Sequence, residues 1–165
     1  YKRQHTSIKI SIIFVGGSVV FQFLIGLVIA SLLNQNIKGK QILIALIMIP
    51  WITSGLIAAF SFKFIFDNSF GIINYILEYL GFSSIAWLSD PKIVVWSIII
   101  ANVWYGTPFT ILFLTAGLLS INPSIYESAK VDGASKIKSF FYLTLPMIRS
   151  FIIIDIILIL SLIHI

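Results

Sequence analysis

Residues 93–126 read IVVWSIIIANVWYGTPFTILFLTAGLLSINPSIY, a stretch with no Asp, Glu, Lys or Arg. A helix crosses the hydrocarbon of a bilayer in roughly 20 apolar residues, and this stretch exceeds that. Two further charge-free blocks precede it, at 10–37 and 41–62. Of the 165 residues, 59% are apolar and only 10% charged, whereas a soluble domain carries about 25% charge. Soluble helices keep a polar face, and there is too little polar surface here to supply one. The expected class is all-α, a polytopic bundle of transmembrane helices in contact with the lipid bilayer.

The formal net charge is +5, but the basic residues are few and sit mostly beside the apolar blocks. Lys and Arg so placed set membrane orientation and do not point to nucleic acid. The absence of cysteine excludes disulfides and thiolate metal sites. The first apolar segment is longer than a signal-peptide core and lacks a small-residue cleavage site after it. With no initiator Met and a last run of Ile163-His164-Ile165, the chain reads as a fragment.

Four spans are expected, at about 8–33, 41–66, 92–119 and 146–165, with a cytoplasmic loop over 120–140. Gly26 and Ala30 form a small-x-x-x-small step that permits close helix packing. Residues 34–40 form a short polar turn with two lysines. Pro50 lies inside the second span, followed by Thr53-Ser54-Gly55. Proline removes a backbone donor and kinks a helix, and a neighbouring hydroxyl can satisfy the freed carbonyl; a packing kink and a bend lining a pathway both fit. Asp67-Asn68-Ser69-Phe70-Gly71 is turn chemistry. Residues 72–80 are amphipathic and too short to span, which predicts an interfacial helix, and Trp87 suits a headgroup anchor.

The loop after the third span holds Glu127, Lys130, Asp132, Lys136 and Lys138. Pro123 fits the first turn of a short helix. Either Ser124 with Glu127 as a capping box or Asn122 can start that helix, and Gly133 fits its end. Lys38 and Lys40 mark one loop; Lys130, Lys136, Lys138 and Arg149 mark another on the same side. The loop between carries Asp67, Glu78 and Asp90 and no Lys or Arg. The positive-inside rule puts the basic loops in the cytoplasm; Lys2, Arg3 and Lys9 then fall outside, against it.

Enzyme chemistry finds little support. His5 and His164 stand at opposite ends with no carboxylate spacing that suggests a metal. There is no Gly-x-Ser-x-Gly elbow and no phosphate-binding Gly-rich loop, so the chain cannot bind ATP by that motif, and if transport is powered by ATP a partner must hydrolyse it. No cofactor is implied. The third span carries the most polar intramembrane stretch, with Asn102, Trp104, Tyr105 and Thr107 as candidate pathway residues; aromatic faces and amides suit sugar rings. An ordinary helix–helix interface with polar contacts also explains them. Asp155 lies within the fourth span, where an acid is by default a functional candidate. It fits substrate contact, or a place near the outer surface neutralised by Lys63 or by a helix not present.

The loop itself reads Tyr126-Glu127-Ser128-Ala129-Lys130-Val131-Asp132-Gly133-Ala134-Ser135, then Leu143-Thr144-Leu145-Pro146. This resembles the EAA loop of binding-protein-dependent ABC permeases: Glu-Ala-Ala, three residues, Gly, nine residues, Ile-x-Leu-Pro. Glu127, Ala129, Gly133, Leu145 and Pro146 match in register, while Ser128 and Leu143 replace an Ala and an Ile. Pro50-Trp51, Asp67 to Asn74, Trp87 to Pro91 and Trp104 to Phe109 also look like segments of the sugar and glycerol-phosphate branch, though Asp67-Asn68 stands for that branch's Asn-Pro.

The resemblance implies a permease of usually six spans, of which this chain covers the second to the fifth, in the bacterial inner membrane. It implies that Glu127, Ser128, Ala129, Asp132, Gly133, Leu145 and Pro146 serve coupling to an ABC ATPase subunit. It further implies a second, different permease subunit and an extracytoplasmic solute-binding protein. Two other readings remain: a proton-coupled secondary transporter using Asp155, which predicts paired broken helices in related halves, and a membrane enzyme with its site at the cytoplasmic loop, which needs a convergent catalytic set.

Overall fold

The structure, a computed structural model, describes residues 2–35 and 37–163. His164 and Ile165, assigned to the end of the fourth span, and Asn36 of the first turn lie outside the described residues.

Long apolar segments fold as helices because hydrocarbon offers no partner for a backbone N–H or C=O. The chain runs through α1 (Lys2–Leu33), α2 (Lys40–Ile52), α3 (Gly55–Ile65), α4 (Ile72–Tyr79), α5 (Val94–Leu119), α6 (Pro123–Val131) and α7 (Lys136–Ser139). A π-helical turn (Phe140–Thr144), α8 (Leu145–Met147) and α9 (Arg149–Ile163) follow. There is no strand among the described residues. By length and composition, α1 over Gln4–Leu33 and α5 can each cross a membrane; the count is up to four if each of two bent helix pairs makes one span. Outward apolar side chains such as Ile42 (70% exposed) and Leu56 (68%) suit a lipid environment.

The second expected span is not one helix with a kink at Pro50. Its halves, α2 and α3, meet at 92°, and the break falls three residues later, where Thr53 and Ser54 adopt extended ψ angles of 136° and 135°. The Thr53 N–H and hydroxyl both donate to the Ile49 carbonyl, at 3.2 and 2.8 Å, closing α2. The fourth span also differs. Pro146 does not open it; the helix begins back at Lys136, passes through the π turn, and bends by 67° around Ile148 before α9.

The helix order is set by side-chain contacts. Gly17 faces Ile99, Gln22 bonds Asn102 and Gly26 faces Thr110, so α1 and α5 run parallel. On the other flank Phe151 packs tilted against Phe113, 5.6 Å between ring centres, and Asp155 faces Thr110, so α9 runs antiparallel to α5. Trp51 against Phe109 and Phe62 against Trp104, at 5.9 and 5.3 Å, bring α2 and α3 antiparallel to α5. α5 is thus the central helix. Ala30, Leu114, Leu118 and Ile148 form the core beneath α6.

The small step of α1 works as expected: Gly26 and Ala30 are both buried, and a Cβ at Gly26 meets the Thr110 side chain at less than contact distance. Gly26→Val is expected to push α1 off α5 and cost about 2 kcal/mol, the usual scale of overpacking. Thermal unfolding of the detergent-solubilised protein measures it; an unchanged midpoint contradicts the close approach.

Candidate functional site

The loop after α5 is built by local capping. Asn122 Oδ1 accepts the Ser124 N–H at 3.0 Å and Pro123 takes the first turn. The cap is therefore Asn122, and Glu127 is left exposed rather than engaged in a capping box. At the other end Gly133 has φ +75°, the left-handed region in which glycine carries no penalty. The Gly133 N–H donates to the Lys130 carbonyl at 3.1 Å and the Ala134 N–H to the Ala129 carbonyl at 2.9 Å, the paired bonds of a Schellman stop.

α6 has two faces. Ile125 and Tyr126 pack on the bundle core and Ala129 is buried. Glu127, Ser128 and Asp132 are exposed. The Tyr126 hydroxyl hydrogen-bonds the Thr144 hydroxyl at 3.0 Å, and Thr144 is buried within the π turn. π turns recur at functional positions in helices; this one joins α6 to the bend that leads into α9. Leu145 is half-buried and Pro146 exposed. The seven sequence-identified loop residues are thus gathered at one end of the bundle, though Ala129 and Leu145 face inward. A cleft of about 440 Å³ there is lined by Asn34, Gln35, Lys130 and Lys136 among others, so the two basic loops share that end.

The opposite end carries the 67–91 segment. Asn74, buried on α4, accepts the Ile85 N–H at 3.0 Å and the Trp87 indole N–H at 2.9 Å, and donates to the Ile85 carbonyl at 3.0 Å. Trp87 therefore turns inward, against Phe66 at 5.5 Å between ring centres, and not out to headgroups as an anchor. The outer face of α4 carries exposed Tyr75 and Tyr79.

The five candidate pathway residues do not converge. Asn102 and Tyr105 line a cleft of about 210 Å³ between α3 and α5, with Gly55, Ala58 and Phe62. Trp104 and Thr107 line a larger cavity of about 750 Å³ between α1, α2 and α5. That cavity is apolar, because the Thr107 hydroxyl is tied to the Val103 carbonyl at 2.6 Å. Asp155 stands apart, fully buried on the α9 side of α5. It faces Thr110, without a hydrogen bond of good geometry to either carboxyl oxygen among the described residues. Its neighbour is mid-helix Thr110, so it is neither at the outer surface nor placed against Lys63, which is exposed on α3.

Sequence reasoning missed Gln22. It is 3% exposed, and its Nε2 donates to Asn102 Oδ1 at 2.6 Å. A single Gln inside the expected span at about 8–33 is the one signal that pointed there, since an unpaired amide in hydrocarbon is costly.

Comparison with known proteins follows the same outline. The family described as "Binding-protein-dependent transport system inner membrane component" matches residues 22–164. The chain is 39% identical, over 153 residues, to the trehalose/maltose transport system permease protein MalF of Thermococcus litoralis, covering 93% of this chain and 51% of that protein. It is 36% identical over 138 residues to the maltose/maltodextrin transport system permease protein MalF of Vibrio cholerae, covering 83% and 26%. Among solved structures it is similar to a bacterial ABC transporter involved in the import of the acidic polysaccharide alginate. The TM-score is 0.83 and the identity 27%, over 92% of this chain and 54% of that one. The alginate ABC transporter in complex with alginate pentasaccharide-bound periplasmic protein gives a TM-score of 0.80 at 27% identity, over 87% and 51%. The chain spans about half, or less, of the length of these relatives.

Proposed function

This chain belongs to the binding-protein-dependent transport system inner membrane components, and from that premise we propose that it is part of the translocation subunit of an ATP-driven ABC importer for a carbohydrate. The named relatives carry trehalose, maltose, maltodextrin or alginate, which supports a sugar substrate. The subunit passes the inner membrane several times. It is not itself an enzyme: an ABC ATPase subunit supplies hydrolysis, an extracytoplasmic solute-binding protein delivers the sugar, and a second, different permease subunit completes the pathway.

The observation that carries the coupling role is the two-faced α6. Its inner face is fixed to the π turn by Tyr126 and Thr144, and its outer face presents Glu127, Ser128 and Asp132. A helix docked by that outer face passes the motion of a motor into α9 as a rigid lever, because packed elements shift between discrete arrangements. Gly133 turns the chain sharply away from the docked face, and Leu145 and Pro146 lie within the bent helix from Lys136 that carries it back to the membrane. On the sugar path we place Asn102 and Tyr105, which share one cleft, with Trp104 and Thr107 on the opposite flank of α5. Proton-coupled transport through Asp155 is the weaker reading. That acid is fully enclosed, whereas a proton carrier needs alternating access to water.

The chain lacks cysteine, so Ser128→Cys gives a single label in this segment. With the full complex in membranes, this cysteine is expected to crosslink to the ATPase subunit and to react with thiol reagents only from the cytoplasmic side. Labelling from the exterior would sink the assignment.

A further inference from the structure

Asn102 is a side chain with two possible faces, an acceptor oxygen and a donor nitrogen. Which face meets the α3–α5 cleft depends on what holds the other. Gln22, one helix away, is almost wholly buried. Its Nε2 reaches two acceptors on the same residue, the Asn102 backbone carbonyl at 3.3 Å and Asn102 Oδ1 at 2.6 Å. A backbone carbonyl only accepts, so the Gln22 amide must present its NH₂ on this side. That orientation obliges Asn102 to answer with Oδ1 and leaves its Nδ2 facing elsewhere. Asn102 lines the cleft with Tyr105, and its Nδ2 is not among the buried atoms that lack partners.

The third member of the arrangement is Gly106, one turn along α5. A Cβ there lies 2.5 Å from Gln22 Oε1 and 2.8 Å from its Cδ, closer than real contacts allow. A Cβ at 106 therefore shifts the end of the Gln22 side chain out of this position.

We propose that Gln22 is a positioning residue for the sugar path: it fixes the Asn102 amide so that its NH₂ is offered to the cleft as a donor for a sugar hydroxyl oxygen. This inference rests on Asn102 lying on the path. The Gln22 amide itself is turned to the helix interface and touches no solute. Holding the donor oriented before the sugar arrives removes the rotamer freedom that binding otherwise has to overcome.

The test uses the full-length subunit assembled with its ATPase and partner permease in proteoliposomes, with radiolabelled maltose as the probe. Gln22→Met keeps the volume and removes the donor. It is expected to raise the KM for maltose uptake about tenfold, the size of one oriented hydrogen bond, with the maximal rate nearly unchanged. Gly106→Ala displaces the same amide without altering it and is expected to give the same KM shift, so the reading survives if either variant assembles poorly. In Asn102→Ala the additional change Gln22→Met is expected to have no further effect on KM, a non-additivity that a purely structural role does not produce. If Asn102→Ala raises KM while Gln22→Met and Gly106→Ala leave it unchanged, the positioning role is overturned and the sugar path stands. If Asn102→Ala itself leaves KM unchanged, the placement of the path fails and the inference with it.

Discussion

Asn74→Ala is expected to release the 67–91 segment from the outer end of the bundle. Asn74 fills three bonds at once: it accepts the Ile85 N–H and the Trp87 indole N–H, and it donates to the Ile85 carbonyl. Alanine orphans all three partners. Each buried polar group left without a partner costs about 1–3 kcal/mol; with water reaching part of the opened segment, a net loss of about 3 kcal/mol is expected. The loss is local, because α5 keeps its packing with α1 and α9. Amide exchange of residues 83–90 is expected to accelerate by about two orders of magnitude, the factor that such a loss represents. Trp87 fluorescence is expected to shift toward that of a wet indole. Asn74→Asp keeps both acceptor roles and loses the donor, so it is expected to be milder in the N–H bonds but to face the Ile85 carbonyl with an oxygen. If exchange in this segment does not change in Asn74→Ala, the amide is not its fastener.

The other large effect is expected at Gly133. Its φ of +75° strains any residue with a Cβ by about 1–2 kcal/mol, although a Cβ there meets nothing within 4 Å. Asn and Asp tolerate this region better than other side chains, so both variants are expected to fold. They differ in charge. Gly133→Asp adds an unpaired carboxylate beside Asp132 on the surface proposed to dock. Leaving such a charge unpaired at an interface costs about 2–5 kcal/mol, and ATPase association is expected to weaken by at least about 30-fold. Gly133→Asn, with the same shape and no charge, is expected to retain most of the binding. Co-purification of the ATPase with each variant measures the difference. Equal retention by Gly133→Asp and the unaltered protein counts directly against docking at this loop.

Much of this was legible in the chain itself. The charge-free blocks mark α1 and α5, and the loop motif marks α6 with its stop at Gly133, while the choice of Asn122 over Ser124 as its cap came from the structure. Such features depend on neighbours a few residues apart, so composition and spacing reveal them. Trp87 was legible as a membrane-end residue but not in its direction, since its partner Asn74 sits on another element. The pathway candidates were read as one polar stretch. A helix, however, turns successive residues to different sides, and α5 sends Asn102 and Tyr105 to one cleft and Trp104 and Thr107 to another cavity.

Two prolines show where sequence ends and tertiary structure begins. Pro50 and Pro108 both lie inside helices with a threonine close by, and proline tends to kink a helix. α5 runs unbroken through Pro108 because α1 and α9 brace it on two flanks. The path through Pro50 breaks into α2 and α3 at 92°, out on one side of the bundle where less holds it straight. The amino-acid sequence by itself determined that this chain is a helical membrane protein with an exposed loop helix, because solvent preference and local capping are properties of short stretches. Only the tertiary structure decided that Gln22 meets Asn102, that Asp155 faces Thr110 and that the second span turns a corner. Those outcomes depend on which helix faces lie against one another across many residues of chain.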